Sequence, residues 1–129
     1  MKRFEIWLAN LPALKGSALK AGRRPVIIVS ADDTNTEFPF VSVIPLTGNR
    51  TSPQLPSHVL LCSRYLDHPS RILCEQVMAL DKSRLRRRIG FVEDPYDRFA
   101  INRALAVQLN LTLTPYIKEE SLYAEFGDF

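Results

Sequence analysis

Cysteine is scarce in this 129-residue chain: Cys62 and Cys74 are its only thiols, and they form no CxxC pair. That excludes a disulfide framework and a four-thiolate zinc site, and it fits a cytosolic chain that keeps both thiols reduced. Long apolar runs are missing, since no stretch approaches the roughly 18–20 uninterrupted apolar residues of a membrane span. With 46% hydrophobic and 24% charged residues, the composition is that of a globular protein. Only two histidines are present and Gly-x-Ser-x-Gly does not occur, so a Ser/His/Asp hydrolase has no footing. Internal repeats and low-complexity segments are absent as well. The opening Met1-Lys2-Arg3 is basic, but Glu5 stands where a signal peptide needs its apolar run, so export is not expected.

The length suits one hydrophobic core. We assign residues 1–114 to one domain and 115–129 to an acidic tail. The net charge of +3 hides an asymmetry: Lys118 to Phe129 holds one basic and four acidic residues, which leaves the rest of the chain at +6. A basic body with an acidic tail suits a nucleic-acid binder, and a solvated surface has the same look.

Phe4, Ile6 and Leu8 alternate with Glu5 and Trp7, which predicts a half-buried strand ended by Pro12. A glycine- and lysine-bearing loop follows, and then Pro25-Val26-Ile27-Ile28-Val29-Ser30, a β-branched run fit for a buried central strand. Asp32 to Asn35 reads as a turn, and Phe40 to Leu46 as a third strand bent at Pro45, with Thr47 at its end. His58–Leu61, Arg71–Cys74 and Ile89–Val92 read as further short strands, and Asp81 as the cap of a helical turn over 82–85. Asp94-Pro95 is an N-cap with an N1 proline, and Ile101, Leu105 and Leu109 recur at spacing four. A core-facing helix over about 95 to 112, stopped by Pro115, is therefore predicted. Short strands with one late helix imply a mainly β fold, a small, strongly curved barrel closed by a C-terminal helix.

Two motifs are decoys. Gly16 to Gly22 resembles a phosphate loop, but its glycine spacing is one too long and Arg23-Arg24 replaces the Lys-Ser/Thr pair. His58 and Cys62 stand four apart, yet on a strand they separate, and no third metal ligand is near in sequence. What remains is a cation at a strand start (Arg24), a hydroxyl at a strand end (Thr47), and Glu75-Gln76 just after another strand. Such strand-end groups can converge on one cleft. A carboxylate, an arginine and a hydroxyl suit attack by a ribose 2′-hydroxyl on its own phosphate, which needs a proton acceptor, a proton donor and donors to the phosphoryl oxygens. The spacing equally allows a surface ion pair, a turn hydroxyl and a solvated carboxylate. Lys82, Arg84, Arg86, Arg87 and Arg88 form a cationic run that is either groove-lining or merely solvated.

Several motifs, in order, resemble the MazF/PemK (Kid) toxins of type II toxin–antitoxin systems. They are Glu5-Ile6-Trp7-Leu8, Lys15-Gly16-Ser17, Gly22-Arg23-Arg24-Pro25-Val26, Ile44-Pro45-Leu46-Thr47, Leu55-Pro56-Ser57-His58-Val59, Cys74-Glu75-Gln76 and Leu80-Asp81-Lys82-Ser83-Arg84-Leu85. The resemblance covers about residues 4 to 112. It implies an SH3-like barrel, a homodimer, and a metal-independent, cofactor-free endoribonuclease. Such an enzyme cleaves single-stranded mRNA at short sequences, leaving a 2′,3′-cyclic phosphate and a 5′-hydroxyl, and an antitoxin neutralises it by filling the RNA groove. It puts the central catalytic roles on Arg24 and Thr47, the positions already singled out, with Glu75 as the base. RNA-binding roles fall on Lys15, Ser17, Leu55, Pro56, His58 and Gln76. The chain departs from the family where Ala18-Leu19-Lys20 replaces the usual Glu-Gln after Gly-Ser, and where Leu73 stands in place of the Kid-branch arginine. The first departure favours an alternative, a non-cleaving toxin or binding module on the same barrel, comparable to the gyrase-poisoning CcdB toxins. The tail, acidic and aromatic like an antitoxin segment, is a candidate to damp activity in cis.

Overall fold

The computed structural model describes residues 1–12, 22–48 and 54–112. Lys15, Ser17, the departing loop residues 18–20, Pro115 and the acidic tail lie outside the described residues, as do the expectations attached to them. Among the described residues seven strands and two helices run in the order β1 (Glu5–Leu11), β2 (Gly22–Ile28), α1 (Asp32–Glu37), β3 (Phe40–Thr47), β4 (His58–Leu61), β5 (Ser70–Leu73), β6 (Met78–Asp81), β7 (Leu85–Phe91) and α2 (Pro95–Leu109). Short 3₁₀ turns occupy Cys74–Gln76 and Lys82–Arg84. Strand order is β4-β5-β3-β2-β1-β7, with β6 also on β3, and every pairing is antiparallel. The sheet curves without closing, because among the described residues β4 and β7 end the path unpaired to each other. α2 lies over β4 and the Cys74–Gln76 turn.

β2 is the central strand that its β-branched run predicts. Ile27 joins a cluster with Ile6, Ile44, Leu46, Ile72 and Ile101, while Val26 and Ile28 join a second cluster with Ala9, Val41, Val43 and Leu80. A strand buried on both faces has no polar alternation to show. Both prolines fall where a ladder bond is dispensable. Pro25 pairs with Leu8 on β1 but precedes the β3 pairing, which begins at Val26. Pro45 sits where β3 passes from its β6 partner, last paired at Val43, to its β5 partner, first paired at Leu46. The missing N–H at Pro45 thus marks the point at which one long strand serves two neighbours.

Four local expectations need correction. Asp32 to Glu37 is a helix rather than a turn, and it is anchored by buried Asn35, whose amide donates to the Ser30 carbonyl at 3.0 Å. β5 runs over Ser70–Leu73, and Cys74 opens the 3₁₀ turn. β7 begins at Leu85 rather than at residue 89, because pairing with β1 extends through the arginines. α2 stops at Leu109 rather than near residue 112, with Asn110 in the left-handed conformation at φ 54°. Asp94 caps the helix as expected, accepting from the Tyr96 N–H at 2.9 Å. Ile101 is buried and Leu105 packs against the core, but Leu109 is 52% exposed. At about 100° per residue a spacing of four overshoots a turn by about 40°, so Leu109 has slewed about 80° from Ile101. Ala104 and Ala106 take the buried positions instead. β6 has no counterpart in the sequence reading.

Candidate functional site

The register of β2 against β3 pairs Val26 with Pro45 and Ile27 with Ile44. Carried two residues past Val26, the same register sets Arg24 across from Thr47. Across the other side of β3, Thr47 pairs with Arg71 of β5. Register partners in an antiparallel sheet project to the same face. Arg24 and Thr47 accordingly line one cleft of ≈ 310 Å³. Its floor is apolar, made by Leu8, Pro25, Leu46 and Ile89, and its wall is the turn between β4 and β5, which contributes Tyr65, Leu66, Asp67 and His68. Arg87 enters from β7.

The cationic run is thereby divided. Arg86 donates from both Nε and a terminal nitrogen to the side-chain oxygen of Asn10, once that amide is oriented to accept. Arg88 lies 3.4 Å from a carboxylate oxygen of Glu5. Arg87, between them, lines the cleft with Arg24. Two guanidiniums over an apolar floor, with a hydroxyl at the rim, have the charge and the donors that can hold a phosphodiester.

The wall is held by close approach to two glycines. A Cβ built on Gly90 would meet Cγ of Tyr65 at 2.2 Å, and one on Gly48 would meet Nε2 of His68 at 2.2 Å. Both aromatic rings therefore occupy space that any other residue would fill. The Tyr65 hydroxyl donates to Glu93 at 2.8 Å, and its ring packs on Phe91 with centroids 5.5 Å apart.

Glu75 belongs to a different cluster. Its carboxylate accepts from the Ser57 hydroxyl at 3.1 Å and pairs with His58 Nε2 at 2.8 Å. The Leu55 N–H donates to Nδ1 of the same imidazole at 3.1 Å, which leaves Nε2 to donate to Glu75. Leu55, His58 and Glu75 are thus joined as one unit, and Pro56 and His58 line a second groove, of ≈ 370 Å³, against α2. Glu75 stands four residues beyond Arg71, the register partner of Thr47. Glu75 lies past the end of β5, in the Cys74–Gln76 turn, and is not among the residues that line the Arg24–Thr47 cleft. The Gln76 side-chain oxygen is buried here and accepts no hydrogen bond from the described residues. Burial, with the neighbouring Glu75 charge adding, pushes the Cys74 thiol up to about 12.

Sequence reasoning selected Arg24, Thr47, Glu75, His58, Leu55, Pro56 and Gln76. The structure brings the first two together in one cleft and joins Glu75, His58 and Leu55 in another place. It adds Arg87, Tyr65, Asp67 and His68 to the first cleft. Arg87 had a signal, as a member of the cationic run. The turn residues had none, because only the fold returns residues 65–68 to the end of β3. Among the described residues no three His, Cys, Asp or Glu side chains converge as a metal set.

The PemK-like, MazF-like toxin family of type II toxin–antitoxin systems matches residues 2–109. The endoribonuclease MazF of Staphylococcus saprophyticus is 36% identical over 113 residues, 86% of this chain and 92% of that protein. Among solved structures, an endoribonuclease in complex with its cognate antitoxin from a mycobacterial species superposes with TM-score 0.73 at 24% identity, over 88% of this chain and 99% of that one. MazF from Deinococcus radiodurans superposes with TM-score 0.70 at 20% identity, over 85% and 96% of the two chains. At these identities the two structures show the shared fold.

Proposed function

The chain belongs to the PemK/MazF family of type II toxin–antitoxin toxins, an endoribonuclease family whose toxins an antitoxin neutralises, and from that premise we propose how it cuts RNA. The enzyme is a metal-independent, sequence-selective endoribonuclease that acts on single-stranded mRNA in the cytoplasm as a homodimer. The observation that carries this reading is that Arg24 and Thr47 line one apolar-floored cleft.

In the proposed reaction the scissile phosphodiester enters the cleft with Arg24 and Arg87 on its non-bridging oxygens and the Thr47 hydroxyl donating as charge builds on phosphorus. The substrate's own 2′-oxygen attacks, the bond to the 5′-oxygen breaks, and a 2′,3′-cyclic phosphate and a 5′-hydroxyl result. Donors aimed at the phosphorane stabilise it more than the ground state, which is what lowers the barrier. Glu75 is the proposed acceptor of the 2′-proton when the RNA strand draws the two surfaces together. Ser57 and His58 hold its carboxylate in place, and Leu55, Pro56 and Gln76 offer the apolar and amide surface on which unpaired bases pack. An antitoxin segment covering the same surfaces excludes RNA from both.

The test is incubation of purified protein with a long single-stranded RNA in EDTA, with primer extension to map the new 5′ ends. Discrete cuts are expected in wild type. Arg24→Ala and Thr47→Ala should each slow them about 100- to 1,000-fold, the effect of losing one aimed donor. Intact RNA from a folded wild-type protein would replace this reading with a non-cleaving binding module, and wild-type rates in either variant would refute the site.

A further inference from the structure

Cleavage at the Arg24–Thr47 cleft needs a proton for the departing 5′-oxygen, because an alkoxide is a poor leaving group. Neither a guanidinium nor a threonine hydroxyl gives up a proton readily near neutral pH. Imidazole is the side chain that does so in this range. One imidazole lines the cleft: that of His68, on the β4–β5 turn.

Its placement is specific. The ring lies against Gly48, the residue next to Thr47, in the space a Cβ would take. No hydrogen bond joins its nitrogens to another described residue, and the residue is exposed while lining the cleft. The other histidine, His58, has both ring nitrogens engaged, one by Leu55 and one by Glu75. The charged or titratable groups that face His68 across the cleft are Arg24 from β2, Arg87 from β7, and Tyr65 and Asp67 from its own turn. Asp67 is the carboxylate among them, and the two arginines are the cations that a bound phosphate neutralises.

The geometry points to His68 as the proton donor to the leaving 5′-oxygen. As the bond from the 2′-oxygen to phosphorus forms and the bond from phosphorus to the 5′-oxygen breaks, the released electron pair takes a proton from the imidazolium. The histidine is left neutral and regains its proton from water before the next turnover. This role rests on the ribonuclease reading above. It is independent of which group accepts the 2′-proton.

Leaving-group chemistry separates the two. A short RNA with sulfur in place of the bridging 5′-oxygen releases a thiolate, which needs no protonation because thiols ionise near ~8.5. We expect His68→Gln and His68→Ala to cleave the ordinary RNA about 100- to 1,000-fold more slowly than wild type, and the sulfur-bridged RNA within about threefold of it. Affinity for an RNA lacking the 2′-hydroxyl at the cut site should be unchanged. Wild-type cleavage of ordinary RNA by the variants would overturn the assignment, and so would equal slowing of both substrates, which is the mark of a structural or proton-accepting role. If wild-type protein cut neither substrate, the ribonuclease reading itself would fall, and this inference with it.

Discussion

Gly90→Ala is the substitution whose effect the structure fixes most tightly. The new methyl would sit 2.2, 2.5 and 2.6 Å from Cγ, Cδ2 and Cβ of Tyr65. Ordinary contact begins near 3.4 Å, so the ring must withdraw by about 1.2 Å. Cβ of Tyr65 is among the clashing atoms, so rotating the ring does not relieve the overlap and the turn backbone must move as well. That motion weakens the packing of Tyr65 on Phe91. Overpacking of this kind costs about 1–3 kcal/mol, and a weakened aromatic pair adds a fraction of ~0.5–1.5 kcal/mol. Against these, Ala in place of Gly restricts the unfolded chain and recovers ~0.4–1 kcal/mol. The net expectation is a loss of about 2 kcal/mol, or a fall in Tm of roughly 6–10 °C for a chain of this size. The assay is urea and thermal unfolding followed by circular dichroism, run with Tyr65→Ala and the double variant. With the ring removed only the overlap with Cβ at 2.6 Å remains, so the same Gly90→Ala change should cost clearly less than in wild type, which gives a coupling of about 1 kcal/mol. A Gly90→Ala protein within 0.5 kcal/mol of wild type, or an additive cycle, would refute the argument that Tyr65 occupies this space. Because Tyr65 walls the cleft beside His68, RNA cleavage should fall with stability in the single variant and recover less than stability in the double.

Two further outcomes are expected. Arg87→Gln should weaken RNA binding about equally across sequences and reduce the magnitude of the slope of log affinity against log salt by ~0.7, the value for one lost phosphate contact on a single strand; Arg86→Gln should leave that slope unchanged, because its guanidinium is already engaged by Asn10. Iodoacetamide at neutral pH should modify exposed Cys62 and spare buried Cys74, whose thiol is pushed up to about 12, as read by peptide mass after native labelling. That raised value also has a sign for stability: Cys74 keeps its proton more firmly when folded, so its contribution is intact below pH ~9 and is lost as the pH rises from there toward 12.

The sequence by itself determined the parts of this protein whose causes are local. The Val26-Ile27-Ile28 run made a central strand because it is apolar on both faces. Asp94-Pro95 started α2 because an N-cap and an N1 proline need only each other. Arg24 and Thr47 were legible as strand-end groups, and the order of short motifs around them was enough to name a family. The tertiary structure alone decided which strand ends meet. Nothing in residue order says that Arg24 and Thr47 line one cleft, that the turn at 65–68 folds back over Gly48 and Gly90, or that of three successive arginines the middle one lines that cleft. Helical spacing placed Leu109 in the core, but the drift of a four-residue repeat and the end of the supporting sheet left it in solvent. The cationic run read as either groove-lining or solvated, with no strand before residue 89, yet pairing with β1 drew Arg86 to Arg88 into a strand, because a backbone ladder is formed by both partners and only one is visible in any stretch of sequence. Glu75 lies in the turn past β5, where it meets Ser57 and His58 and does not line the Arg24–Thr47 cleft, because which sequence-remote residues a chain reversal brings together depends on how the strands pair.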